Sequence, residues 1–476
     1  MSRKAEIWTL HTAGKVARKQ LPHIIVVGAG MSGLVAARIL HDTGFSVEVF
    51  EARNRLGGRI WTDHLLGIPC DLGASWIHGP EDNPLTAWSA VAGIDLLAWP
   101  GGRTYFYERG HVSSLPRLLW RGRRGVARAM IALTKSYMGL RLNNLLGRAK
   151  DLSLEQSIAA ATTFPRLKDV DSRILLWLLG LAEAVFGAPA SELSLLEWDP
   201  REYREKHLVP AHGFQDLISN VCRGLSIRLA AEVSKIVWDR EGVRVVTAAG
   251  AAYSAAAVVI AVPLGVLKSG SLCFEPSLAA NKRAAIERIG FGGRAVLNKL
   301  VLRFPRRFWP TVSERLAVLP VDRQNRGIFT LWADLQSLVG EPVIMGFMSG
   351  TAAADLDRNG SDGQICDKAM AQLQRMFSVR LPAPEGYVLT RWLSDPWSRG
   401  SYSYRAMGGK ESDRQVLAEP VADRLFFAGE ATHEEHYGTV HGALLAGERE
   451  ALRIHRRYCC ASVDRSQLPW YKTVRA

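Results

Sequence analysis

No apolar run in this chain of 476 residues approaches the roughly 20 that a helical membrane span needs. The longest, such as Ala255 to Val262, have the length of buried strands. Cysteine is scarce. The six are Cys70, Cys222, Cys273, Cys366, Cys459 and Cys460. None stands in C-x-x-C spacing, so no metal site is expected. The vicinal pair suits no disulfide framework, and the chain reads as reduced and cytoplasmic. No solenoid-type repeat is visible. Residues 1–21 are basic but lack the apolar stretch of a secretory signal. They read as a solvated extension, with a transit peptide left open. Acids are in deficit: 46 Asp and Glu against 60 Lys and Arg give a net charge of +14. Such a field favours anionic partners or surfaces without deciding function.

What is present is ordinary globular composition, 47% hydrophobic and 22% charged, with length for two cores. The basic excess concentrates in 117–150, at Arg117, Arg121, Arg123, Arg124, Arg128, Lys135, Arg141, Arg148 and Lys150. Val126, Met130, Ile131 and Leu133 are interleaved with them, which predicts a basic amphipathic helix. A solvated helix face explains the pattern, as does contact with a membrane surface. Nucleic acid is the weaker expectation.

The strongest motif lies near the N-terminus. The β-branched run His23 to Val27 leads into Gly28-Ala29-Gly30-Met31-Ser32-Gly33, then helical spacing, then a second strand ending at Glu51. This is a dinucleotide-binding βαβ unit in its required context. Gly28 permits the tight turn, Gly30 lets a pyrophosphate approach, and Gly33 lets helix and strand pack. The helix N-terminus offers free N–H groups to phosphate. Glu51, placed 18 residues past Gly33, can accept ribose hydroxyls. Arg53, Gly57–Gly58 and Arg59 read as a second cradle, which resembles that of flavin oxidoreductases of the glutathione reductase type. Far along the chain, "RLFFAGEAT" reads as a buried strand, Leu425 to Phe427, followed by Gly429 and Glu430. Glu430 can bond ribitol or solvated phosphate groups. A helix is predicted from about Val440, its N-terminus free to face a flavin.

With "GASWIHG", "AVVIAVPLGVLK", "LNKLVLRFPRRFW", "DPWSRGSYSY", "FFAGEAT" and "HGALLAG" in place, the chain resembles the flavin-containing amine oxidases from about Ile24 to Ala451. The similarity is greatest to the polyamine oxidase and lysine-specific histone demethylase branch. It implies an α/β fold: a Rossmann-like, glutathione-reductase-like FAD-binding domain with a discontinuous α+β substrate domain. The FAD domain would comprise 22–85, 211–290 and 391–455. The substrate domain would comprise 86–210 and 291–390, leaving 1–21 as an extension and 456–476 as a tail. The resemblance places Gly73, Ala74, Ser75, Trp76, Val233, Trp392, Thr439 and Val440 around the cofactor. No cysteine lies near "SRGSYSY", so FAD is expected to be non-covalent.

Amine oxidation removes a hydride equivalent from the carbon beside a neutral nitrogen, with oxygen as the final acceptor and peroxide as product. Lys299 sits in a strand-like run, on the face opposite Asn298 and Leu300. Pattern alone fits an exposed lysine; the resemblance implies one that holds a water near the flavin. Tyr402 and either His436 or Tyr437 would form two aromatic walls that guide the amine. His78 is a candidate for substrate binding or proton handling. Glu81, Asp82 and Glu183 are candidate anchors for a distal ammonium. A polyamine is the leading substrate. An amino acid is the alternative, which needs an arginine at the site; Arg103, Arg391 and Arg399 are candidates. A demethylase acting on a protein tail is a third.

Overall fold

The computed structural model describes residues 21–99, 104–145, 151–162, 169–197, 206–310, 315–410, 412–459 and 462–471. The expected transit-peptide segment therefore lies outside the described residues, apart from residue 21.

Strand His23–Val27 is apolar on both faces and buried beyond its first residue. Such a strand suits the interior of a parallel sheet covered on both sides. It pairs in parallel with Ser46–Phe50 on one side and Ala257–Ile260 on the other. Ser226–Arg228 and Leu425–Phe427 complete the five-stranded sheet at its two edges. Its strands thus come from the three stretches 22–85, 211–290 and 391–455. Helix Met31–Asp42 makes the first crossover and packs on helix Val440–Tyr458. The alternating runs on either side of Asp239 to Gly242 read as a hairpin, and Val233–Trp238 and Val243–Thr247 form one. Asp239 Oδ1 accepts from the backbone N–H of Glu241 and Gly242 and so fixes its turn.

A second, seven-stranded sheet runs in the order Gly386–Leu389, Leu297–Arg303, Val343–Ser349, Ile328–Asp334, Arg315–Ala317, Thr104–Glu108, His111–Ser114. Helices Gly350–Asn359 and Asp362–Phe377 cover it. The short strands Ile77–His78, His207–Pro210 and Leu96–Ala98 form a three-stranded sheet that brings His78 opposite His207.

Two expectations are corrected. The basic segment is not one helix: it breaks at Gly122 into Leu115–Arg121 and Arg123–Leu145. A Cβ at Gly122 would stand 2.6 Å from the Ile174 side chain, so the break lies where the chain touches its neighbour. Nor do its apolar residues share one face. Leu133 is buried, whereas Met130 and Ile131 are exposed. The side chains of Arg124, Arg128 and Arg141, and residues 148 and 150, lie outside what is described. The second correction concerns 456–476. Leu468 and Trp470 are buried in the first core, and the Trp470 indole N–H donates to Glu448 at 2.7 Å. Two large apolar side chains there gain more from burial than a free tail would.

Candidate active site

One cavity of about 1300 Å³ runs between the two sheets. Part of its wall is the turn after the first strand. Gly28 has φ +104°, a conformation that favours glycine. A Cβ at Gly33 would stand 1.9 Å from the Gly28 carbonyl, so helix and turn touch there. A Cβ at Gly30 would meet no protein atom nearer than 3.9 Å. Protein packing therefore does not require that glycine, and the space beside it is open to a bound group. Gly30 caps helix Met31–Asp42 without a side-chain hydrogen bond, which leaves the first N–H groups free toward the cavity. Glu51 is buried beneath this turn. Its carboxylate accepts from the backbone N–H of Ala29 at 2.7 Å and of Arg53 at 2.9 Å. Val233, Trp392, Gly58, Gly73 and Ala74 line the same space, as do Thr439 and Val440. Thr439 caps helix Val440–Tyr458 through Gly442 N–H.

The two arginines expected at phosphate are held by carboxylates. Arg53 makes a two-pronged contact with Asp395, at 2.7 and 2.9 Å, and a third bond to Ser398. Arg59 donates to Glu430 at 2.7 Å. Glu430 also accepts from the Ser403 hydroxyl and Gly438 N–H, so both its oxygens are engaged by the protein, and it lines the cavity. Burial raises the Glu430 pKa, but Arg59 and Ser403 outweigh it and hold the group below the usual glutamate range. These contacts tie residues 53–59 to 395–438. They neutralise part of a cradle that sequence had read as cationic.

Lys299 is buried, at 3% exposure, against the expectation for a lysine in a strand. Its ammonium donates to Asp71 O at 2.9 Å, Gly73 O at 2.6 Å and the Ser75 hydroxyl. An ammonium has three donors, and all three are engaged. Holding a water here requires exchange of one of these partners. Burial lowers the Lys299 pKa to about 8, opposed by nearby Asp71 and Cys70. Asn298 faces the other way, toward Asp357 and Trp392 N–H, as the alternation predicts.

Beside Lys299 stands the Trp76 ring, with Nζ 5.1 Å from its centroid. Trp99 and Phe347 pack on Trp76 at 5.3 and 6.0 Å. The buried Trp76 and Trp332 indole nitrogens have no protein partner, and both residues line the cavity. His78 meets the His207 ring edge-on at 4.8 Å. Burial, then His207, lowers the His78 pKa to about 4, so the imidazole is neutral at pH 7. Tyr402 lines the cavity with its hydroxyl anchored on the Ala184 and Val185 carbonyls, both at 2.9 Å. His436 and Tyr437 line it too. His436 packs between His433 and His441, while the Arg414 guanidinium lies 3.6 Å from the Tyr437 ring centroid. Both candidates for the second wall are thus at the cavity, each partly covered by another group.

The family model described as flavin-containing amine oxidoreductase matches residues 31–455. The chain belongs to that family. Polyamine oxidase 2 of Arabidopsis thaliana is 35% identical over 464 residues, covering 94% of this chain and 91% of the relative. Lysine-specific histone demethylase 2 of Homo sapiens is 30% identical over 90% of this chain, which spans only 53% of that protein. Among solved structures, a putrescine oxidase bound to putrescine matches with TM-score 0.74 at 20% identity, over 92% of this chain and 99% of the other. At that identity the likeness shows the fold.

The amine oxidoreductase binds FAD, and the residues fit it. The open Gly30 turn, the free helix N-terminus, buried Glu51 and the open backbone at Gly429 are what an elongated dinucleotide requires. The remaining expected residues divide. Glu81 and Asp82 are exposed on the cavity lining. Glu183 is a correction: it is buried, accepts from Arg326 at 2.6 Å and Ala190 N–H at 2.9 Å, and does not line the cavity. Arg391 donates to the Asp357 and Gly360 carbonyls, and Arg399 to Pro396, so neither reaches the cavity. Arg103 lies outside the described residues. The lining also contains Trp99, Trp332, Phe347, His207, Lys206 and Arg315, which sequence reading missed. Their segments match no motif. Only the tertiary fold brings them to the lining.

Proposed function

We propose that this enzyme oxidises a polyamine of the spermine or spermidine type with oxygen to an imine and hydrogen peroxide, and that water hydrolyses the imine to an aldehyde and a smaller amine. FAD, when bound, accepts the hydride equivalent from the carbon beside the substrate nitrogen. The chain's own residues bind and orient. The observation that carries the reading is Lys299, buried in the wall of an aromatic cavity with its ammonium 5.1 Å from the Trp76 ring centroid. An aromatic lining attracts an amine through the ring faces and disfavours the charged ammonium by desolvation. Neutral His78 can accept a hydrogen bond from the substrate N–H. Glu81, Asp82 and Glu435 on the lining suit a second ammonium. The polyamine oxidase relatives, aligned over almost the whole chain, support the same substrate class.

A second reading, an amino acid as substrate, is favoured by Arg315 and Lys206 on the lining, where a carboxylate would find cations. Peroxide release from the purified yellow protein, with spermine, spermidine, acetylated spermine, monoamines and L-amino acids in parallel, separates the two. Turnover of a polyamine is the expected result. Turnover of amino acids alone would replace the first reading with the second. None of the described cysteines lines the cavity. Acid denaturation should therefore release free flavin into the supernatant, and flavin left on the chain would refute non-covalent binding.

A further inference from the structure

The outward face of helices Leu115–Arg121 and Arg123–Leu145 is apolar where a solvated helix should be polar. Trp120 is 66% exposed, Met130 48%, Ile131 55% and Met138 65%. At 3.6 residues per turn, Ala127, Met130, Ile131, Thr134 and Met138 fall on one face. The opposite face is already used. Ala129 packs on Leu175, and Leu133 and Leu140 join a core with Leu154, Ile158 and Leu179. The exposed stripe is therefore not an unfinished part of that core.

Cations surround the stripe. Arg117, Arg121, Arg123 and Lys135 are exposed, and no acidic residue occurs between Glu108 and Asp151. The Arg123 guanidinium lies 4.6 Å from the Trp120 ring centroid, which places a cation and an indole together at the edge. We propose that this face docks on the surface of an anionic lipid bilayer. Methionine, isoleucine and tryptophan side chains enter the headgroup–acyl boundary, and the arginines and lysine meet lipid phosphates. Tryptophan favours that boundary because its ring is apolar and its N–H polar. A nucleic acid would use the cations but leave the apolar stripe in water. A second copy of the chain would bring the same cations face to face.

The test is co-sedimentation of the full flavin-loaded enzyme with phosphatidylcholine vesicles, with and without phosphatidylglycerol. The wild-type enzyme should pellet with the anionic vesicles only, and raised salt should release it. The double variant Ile131→Asp, Met138→Asp should lose vesicle binding at least ~10-fold, with flavin content and turnover of a soluble amine unchanged. A second variant, Arg121→Gln with Lys135→Gln, should bind more weakly and show a shallower salt dependence. Failure of the wild type to pellet, equal binding to neutral vesicles, or variants that bind like the wild type would each overturn the proposal. So would a concentration-dependent dimer that the double variant abolishes.

Discussion

Lys299 carries the clearest residue-scale prediction. Its side chain is fixed by two carbonyls and one hydroxyl, and its burial leaves it a weaker cation than a surface lysine. Lys299→Met keeps the volume and removes the charge. It removes the donor to two carbonyls and a hydroxyl, of which the Asp71 carbonyl keeps the Ser75 hydroxyl at 3.0 Å, at a cost of about 1–3 kcal/mol in stability. A positive charge near the reacting centre is typically worth about 10²-fold in rate. Stopped-flow measurement should show slower flavin reduction or reoxidation by that order, with FAD still bound. Unchanged rates in both half-reactions would remove Lys299 from the catalytic machinery. The lysine was visible in sequence, but its burial was not. A strand pattern gives the face of a side chain and not what covers it. Here the 71–75 loop covers it, more than 220 residues earlier in the chain.

At the scale of an element, the βαβ turn separates glycines that serve packing from those that serve a ligand. Gly33→Ala would drive a Cβ to 1.9 Å from the Gly28 carbonyl, beyond the ordinary overpacking cost of about 1–3 kcal/mol. The expected outcome is loss of folded protein. Gly30→Ala has room in the protein alone. It should leave circular dichroism unchanged and lower the flavin-to-protein ratio. A Gly30→Ala enzyme that retains full flavin would contradict close approach of the pyrophosphate at that turn. Both roles were legible from spacing, because a strand, a turn and a helix are local structures. The second cradle was less legible. Arg53 and Arg59 line the cavity, but their pairing with Asp395 and Glu430, which arrive from the far end of the chain, could not be read locally. Asp395→Ala should therefore destabilise the enzyme by roughly 3–5 kcal/mol, since it strands a buried guanidinium. Denaturant midpoints with and without added FAD would measure it.

For the whole molecule, pH should report how many imidazoles are buried around the cavity. Burial, the first cause in each case, lowers His78 and His433 to about 4 and His441 to about 3, from an unfolded value of 6.5. Between roughly pH 6.5 and 4 the unfolded chain binds protons that the folded one refuses, so stability falls as pH falls through that window. Asp71 opposes this. Burial raises it to about 6, so acid down to its unfolded value of 3.8 favours its folded form. Three imidazoles exceed one carboxyl, and the melting temperature should drop between pH 7 and 5. His441→Asn should flatten that slope. A melting temperature constant over the range would mean that the histidines are charged in the folded state.

The family resemblance implied the flavin fold, and the sequence by itself determined the dinucleotide turn, the hairpin, and the strands at Leu297 and Leu425. Each depends on neighbours within a few residues and on a hydrophobic period. It also located Lys299, His78, Tyr402 and His436–Tyr437, all of which line the cavity. Only the tertiary structure decided which charges meet. It withdrew Glu183 from the cavity into an ion pair with Arg326, and it paired Arg53, on the lining, with Asp395. It gathered Trp99, Trp332, Phe347, His207 and Arg315 onto the wall, and left Met130, Ile131 and Met138 facing water. The physical reason is range. Backbone conformation and alternation are set by adjacent residues, whereas burial and charge pairing are set by segments that only the folded sheets bring together.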